Sequence, residues 1–281
     1  MNRSKWKNLQ SELFTNGLGV AALVILTVFT LGAVFAFLSG HDPNAMDAMA
    51  RLTKPGAAHL FGTDDYGRDY LSRALYGGRV SLLVGFASMV VATFVGVLVG
   101  VISGYFGGWL DNLLMRMLDI IMSIPSFLIL LLLSVYLKPS IGNLIIIIAL
   151  LMWMNVARVV RAETLTIKER EYVLYARASG QSAFGMIWRH ILPGLVPVII
   201  VGATNNIASA IMMESSLSFL GFGVQPPNAT WGSMLNSAQG YIAQAPYLAL
   251  FPGLMILLTV LSFNVLGDIV RVGFEPKLIR R

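Results

Sequence analysis

Six apolar stretches, each roughly 20 residues or slightly longer, alternate with polar ones along the chain: 17–38, 80–103, 113–137, 140–160, 191–213 and 247–267. A bilayer core needs about 20 apolar residues in helical form. Several of these stretches are rich in Ile and Val, but an open sheet edge cannot face lipid, so they too are expected to be helices. The pattern predicts an all-α polytopic membrane protein with about six transmembrane helices. The first stretch is too long for the apolar part of a signal peptide, and no small-x-small site follows it before the polar loop, so it reads as a retained anchor. Pro125 falls inside the third stretch and should kink it or end a turn. Gly96, Gly100 and Gly104 recur every fourth residue, share one helix face and should let another backbone approach closely.

Composition agrees with this pattern. The chain is 56% hydrophobic, with 12% charged residues and a mean hydropathy of +0.73; a soluble domain carries about 25% charged residues. With no cysteine, disulfides, thiolate metal sites and thiol catalysis are excluded. The net charge of +6 is read as a bias of cytoplasmic loops toward Lys and Arg rather than as a nucleic-acid footprint. With the N-terminus inside, fourteen basic residues fall on the inner segments against six on the outer ones, so both termini are expected in the cytoplasm. The resulting map is a cytoplasmic N-terminus (1–16), a first span (17–38), an outer loop (39–79), a transmembrane core (80–267) containing a cytoplasmic loop (161–190), and a cytoplasmic C-terminus (268–281). The expected localisation is a membrane, crossed several times.

Chemistry is notable by its absence. The histidines His41, His59 and His190 are far apart in sequence, and there is no His-Glu-x-x-His. No phosphate-cradling Gly-x-x-x-x-Gly-Lys-Ser/Thr loop occurs, and no serine has a convincing base. No catalytic residue and no metal site are therefore assigned. Asp119, Glu214 and Asp268 are the ionisable residues near membrane depth; each lies near a span end, where interfacial solvation is expected. Arg116 and Asp119, at i and i+3, are expected to pair.

Two polar segments carry candidate function. The first, IKEREYVLYARASGQSAFGMIWRHILPGLVP (167–197), separates two apolar stretches. It reads as a helix over 162–179, then a small-residue corner at Ala178, Ser179 and Gly180, then a second helical piece over about 182–191, with Ser182 as N-cap, leading to Pro193. Small residues at an exposed corner suit insertion into a groove on another protein; the alternative is a solvated connecting loop, but a connection this long tends to be functional. The second segment, GTDDYGRDYLSRALYGGR (62–79), has glycines permitting turns at Gly62, Gly67, Gly77 and Gly78. Asp64 or Asp65 could cap the helix that follows, and Arg68, Arg73 and Arg79 could pair with Asp64, Asp65 and Asp69. Asp64, Asp65, Gly67, Arg68 and Asp69 form either a docking surface or a charge cluster that shapes the loop; the adjacent arginines argue against a divalent ion held by the three carboxylates. Farther along, 232–242 reads as a short helix near the outer surface, with Trp231 and Tyr241 at the membrane–water interface.

The first polar segment resembles the Glu-Ala-Ala loop of ATP-binding-cassette importer permeases. Ala176, Gly180, Leu192 and Pro193 fall on that pattern, whereas Leu174, Tyr175 and His190 depart from it. Four further segments are similar to the dipeptide/oligopeptide/nickel permease family, second (C-type) subunit: HLFGTDDYGRDYLSRALYGGRVSLLVG (59–85), GGWLDNLLMRMLDIIMSIPSFL (107–128), ESSLSFLGFGVQPPNATWGSML (214–235) and FNVLGDIVRVGFEPKL (263–278). The resemblance implies a type I importer permease fold, multi-pass in a bacterial cytoplasmic (inner) membrane. It also implies a homologous second permease, two ATPase subunits carrying ATP and magnesium, and an extracytoplasmic solute-binding protein. Tyr175, Ala176, Ala178, Ser179, Gly180, Leu192 and Pro193 would then dock the ATPases, and the outer loop would meet the binding protein or the partner permease. The implied cargo is a peptide, with nickel or a metal chelate as alternative; a single-chain secondary transporter is a more distant reading, since no clear internal repeat is seen.

Overall fold

A computed structural model describes residues 13–274. The expectations for the charged ends lie largely outside these residues. Among the described residues the chain runs in order through the helices α1 (Gly17–Val34), α2 (Tyr70–Phe106), α3 (Gly108–Met122), α4 (Ser126–Tyr136), α5 (Ile141–Lys168), α6 (Glu171–Ala178), α7 (Ala183–Met186), α8 (Leu192–Phe219), α9 (Trp231–Ala238) and α10 (Tyr247–Phe274). A π turn over Ile187–Ile191 joins α7 to α8 without a break in the helix. Among the described residues five helices are long and apolar enough to cross a membrane, and α3 with α4 makes a sixth if the pair is one span. That pair is bent by 81°. Pro125, which has no N–H to donate, sits at the bend as the N-cap of α4, so the third apolar stretch is a broken element rather than one rod.

Helix starts follow side-chain capping. Asn16, Asp69, Ser140 and Thr230 accept from backbone N–H groups at the starts of α1, α2, α5 and α9. Asp69, not Asp64 or Asp65, caps α2, with the Ser72 N–H at 2.8 Å. The helix therefore begins well before position 80. It runs through Gly77 and Gly78, which are helical rather than turns, because α9 lies against them: a Cβ on Gly78 would come within 2.9 Å of the Trp231 ring.

The core centres on α2 and α5. Gly96, Gly100 and Gly104 face α5 so closely that a Cβ at each would meet backbone oxygens of Trp153, Ala157 and Arg161 at 2.8, 2.6 and 2.9 Å. Side chains of Val156, Val160 and Thr164 close the same seam. α8 packs on α2 and on α10, and α1 lies along α10. Many lipid-range positions on α1, α2 and α4, such as Val28, Phe94 and Leu132, point outward as exposed apolar side chains.

Trp231 is not an interfacial anchor. It is 2% exposed, donates its indole N–H to the Ala74 carbonyl at 2.9 Å, and meets Phe29 of α1 edge-on. The short outer helix starts one residue before the expected 232 and gives way to a 3-10 turn at Gln239–Tyr241.

Candidate coupling loop and pathway

The polar segment after α5 is not a single helix over 162–179. α5 ends at Lys168, Arg170 turns extended (ψ 143°), and α6 begins at Glu171. Ile167 and Val173 explain the break. On one continuous helix, positions i and i+6 lie about 120° apart around the axis; the turn lets both become fully buried beside Val101, Val160, Met186, Ile191 and Leu195. Glu171 in the first turn of α6 and Arg177 in the last suit the helix dipole.

α6 ends in a Schellman motif. Gly180 has φ +79°, its N–H donates to the Arg177 carbonyl at 3.0 Å, and the Gln181 N–H donates to the Ala176 carbonyl at 3.2 Å. A Cβ at Gly180 would meet nothing within 4 Å, so the requirement for glycine here is conformational. Ser182 then caps α7 through the Gly185 N–H, and the Gln181 carboxamide meets His190 Nε2 at 2.9 Å. The helix does not stop at Pro193. With no N–H at Pro193, the Arg189 carbonyl has no i+4 donor, and the wider π register, in which the Leu192 N–H reaches the Ile187 carbonyl, carries the chain past the ring.

Among the expected docking residues, Tyr175, Ala178, Ser179 and Gly180 lie exposed at the end of α6. Ala176 and Leu192 instead pack on the apolar cluster beneath the loop, and Pro193 lies exposed on the helix that leaves it. Sequence reasoning passed over Phe184 and Trp188. They stack at 6.2 Å and are 76% and 65% exposed, beside Tyr175 at 77%. Their i, i+4 spacing on an aqueous-looking segment was the available signal.

At the opposite polar segment, Asp64 gathers the loop. It accepts from the Tyr66 and Arg68 N–H groups, from Arg68 Nε at 2.6 Å, and lies 3.5 Å from Arg73 Nε. Arg79 turns away and donates to the Ala33 and Val34 carbonyls at the end of α1. Gly67, at φ +74°, lies against the Asp47 backbone. Asp64, Gly67, Arg68 and Asp69 are buried within the chain, and Asp65 keeps partial exposure; burial pushes the Asp65 carboxyl upward, with neighbouring Asp64 adding to the rise. Burial opposes charge on Asp69 as well, but the Ser72 N–H and His59 outweigh it and hold that carboxyl below its usual range. These residues therefore build the loop's framework.

Two further expectations change. Asp119 pairs with Arg158 of α5 at 2.8 Å rather than with Arg116. Glu214 is not solvated at an interface but completely buried, accepting from the hydroxyls of Ser81 at 3.0 Å and Ser218 at 2.7 Å. Between the α3–α4 bend, α5 and α8 lies a cleft of about 260 Å³, walled by Met122, Pro125, Met152 and Met213 and bearing the polar groups of Asn155, Asn206 and Ser209.

Residues 96–280 match the family described as the binding-protein-dependent transport system inner membrane component. The chain belongs to this family. It is 39% identical to the dipeptide transport system permease protein DppC of Alkalihalophilus pseudofirmus, over 98% of this chain and 91% of that protein. It is 40% identical to the probable D,D-dipeptide transport system permease protein DdpC of Escherichia coli, over 92% and 88%, and 37% identical to DppC of Bacillus subtilis, over 98% and 85%. The chain is thus a multi-pass inner-membrane permease subunit of the type I importer fold.

Proposed function

We propose that this subunit forms one half of the pathway of an ATP-driven peptide importer, pairs with a second permease, receives cargo from an external binding protein, and docks two ATPase chains through the segment 169–191. The observation that carries this reading is the loop itself. A glycine-terminated tip and three exposed aromatic side chains, Tyr175, Phe184 and Trp188, stand on a fully buried apolar base. Exposed aromatics are the residue type enriched where proteins bind one another. Movement of a partner against such a braced loop passes into α5 and α8, whose ends it joins, and so into the cleft those helices line. ATP and magnesium belong to the partner chains in this reading, and this chain contributes no catalytic group.

Peptide cargo is supported by the names of the relatives and by the cleft. Its two carboxamides and one hydroxyl offer donors and acceptors to a peptide backbone, among methionines that adapt to many side chains. The second permease would close the open side. With both termini inside, the 169–191 loop faces the cytoplasm and the 39–69 segment the exterior.

The chain has no cysteine, so single cysteines report cleanly. With the importer assembled in membranes, a cysteine-reactive photocrosslinker at Ser179→Cys is expected to capture an ATPase chain, while Asp65→Cys is labelled only from outside. Crosslinking from Asp65→Cys but not from Ser179→Cys reverses the assignment of the two faces.

A further inference from the structure

Three side chains far apart in sequence converge beside the start of α2. His41 follows the end of α1, His59 lies in the connecting segment, and Asp69 caps α2; one ligand atom from each falls within 4.8 Å of the other two. We propose that His41, His59 and Asp69 form a binding site for a divalent transition-metal ion of the zinc class, at the junction of α1 and α2.

Two of the ligands are already set. His59 Nδ1 stands 2.9 Å from Asp69 Oδ2. The two atoms share a hydrogen bond, and a tetrahedral ion with donors about 2.0–2.1 Å away would hold them about 3.3 Å apart, so they need open by only a few tenths of an ångström. Asp69 is oriented by its other oxygen, which accepts from the Ser72 N–H at 2.8 Å. That is the kind of outer hydrogen bond that fixes a ligating carboxylate. The His59 backbone is fixed in turn, since its carbonyl accepts from the N–H groups of Gly56 and Gly62, both at 2.9 Å. His41 is the movable ligand. Its ring is exposed, 5.6 Å from the His59 ring between centroids, on a turn made by Gly40 at φ +79°. Its ligand nitrogen lies within 4.8 Å of the other two, and a side-chain rotation brings it toward the roughly 3.3 Å separation of ligands around a tetrahedral ion.

The nearby arginines do not spoil the site. Arg68 and Arg73 are turned to Asp64, and Arg79 to the α1 carbonyls, so no guanidinium pairs with Asp69 among the described residues. Two imidazoles and one carboxylate suit zinc, nickel or copper over magnesium or calcium. Remaining positions are left to water. A bound ion would tie the end of α1 to the start of α2, which Arg79 already links by hydrogen bonds.

The test uses the full chain in lipid nanodiscs, free of any histidine tag and stripped with chelator. Zinc binding is followed by calorimetry, and cobalt substitution by its visible d–d absorption. The expected result is one ion per chain, with calcium and magnesium failing to compete. His41→Ala, at an exposed position, should leave helical content and elution volume unchanged and weaken zinc by at least about 10-fold, since even outer-shell losses cost about 10–100-fold. Asp69→Asn should weaken it as well, and His190→Ala should leave it unchanged. Zinc should raise the melting temperature of the parent chain and not of the His41→Ala chain. Absence of stoichiometric zinc binding, or equal binding by the parent and His41→Ala chains, overturns the proposal.

Discussion

Arg161 of α5 holds Asp111 of α3 through two parallel bonds, Nε to Oδ1 at 2.5 Å and Nη2 to Oδ2 at 2.6 Å, and the Ser103 hydroxyl of α2 donates to the same carboxylate. Three helices are thereby tied at the end of the bundle next to the coupling loop. Close by, Lys168 Nζ donates to the Tyr105 carbonyl at 2.9 Å. Charge-assisted bidentate pairs are stronger and more directional than single bonds. Arg161→Ala should therefore destabilise the subunit by about 1.5–3 kcal/mol, the range for hydrogen bonds to charged groups. Arg161→Lys should recover only part of this, because an ammonium cannot span both oxygens. Thermal unfolding in nanodiscs provides the check; a lysine variant as stable as the parent would show that charge alone matters here.

The α2–α5 seam gives a steric prediction. Gly100 has the Ala157 carbonyl 2.6 Å and the Val160 Cβ 2.8 Å from where a methyl group would sit. Neither neighbour is the free end of a flexible chain, so relief requires the helices to separate. Gly100→Ala should cost about 1–3 kcal/mol, the usual range for overpacking, and Gly100→Leu should prevent accumulation of folded subunit. By contrast Gly142, with nothing within 4 Å of its Cβ position, should accept alanine without loss. Quantifying folded protein by fluorescence-detected size exclusion separates the three variants, and equal yields for Gly100→Leu and Gly142→Ala would contradict the seam.

The features legible in the sequence were those with a local period. Apolar runs marked the helices, four-residue glycine spacing marked the α2 face that meets α5, and Pro125 marked the α3–α4 break. What stayed hidden depended on tertiary contact. Gly77 and Gly78 read as turns because nothing in sequence announces that Trp231 lies on them. Glu214 read as interfacial because its partner Ser81 lies on another helix, far away in the chain. Asp119 has a partner at the favourable i−3 spacing, Arg116, yet it pairs with Arg158 across helices. The loop corner at Gly180 was readable because a Schellman ending is a local device, whereas the π turn that absorbs the donor missing at Pro193 carries no comparable local mark.

Glu214 supplies a test of buried polar satisfaction. Its carboxyl accepts from hydroxyls on α2 and α8, and Ser81 in turn accepts from the Trp231 N–H at 3.3 Å, joining α9 to the network. Glu214→Leu would leave these hydroxyls without their acceptor in a fully buried place, at a cost of about 2–3 kcal/mol. Glu214→Gln keeps the shape and one carbonyl acceptor and should stay within about 1 kcal/mol of the parent. Chemical denaturation in mild detergent compares them. If glutamine proves as damaging as leucine, the role of Glu214 is charge rather than hydrogen-bond acceptance.

Gly180 allows conformation and docking to be separated. Its φ of +79° makes any side chain unfavourable, yet the space around its Cβ position is open. Gly180→Ala should therefore cost about 1 kcal/mol by disfavouring the αL turn, without a clash inside the subunit. Gly180→Asn should cost less, since asparagine tolerates that region better than other residues. Gly180→Asp adds a charge, and if the tip enters a groove on an ATPase, an unpaired charge in that desolvated contact costs several kcal/mol. The expected order of ATPase co-purification and of peptide uptake in vesicles is parent, then asparagine, then alanine, then aspartate, with all four subunits present in the membrane in equal amount. The comparison of asparagine with aspartate is decisive, because the two side chains are nearly isosteric and differ in charge. Equal uptake by these two variants would mean that the tip meets water rather than a partner, and the docking role would pass to the exposed Tyr175, Phe184 and Trp188 alone.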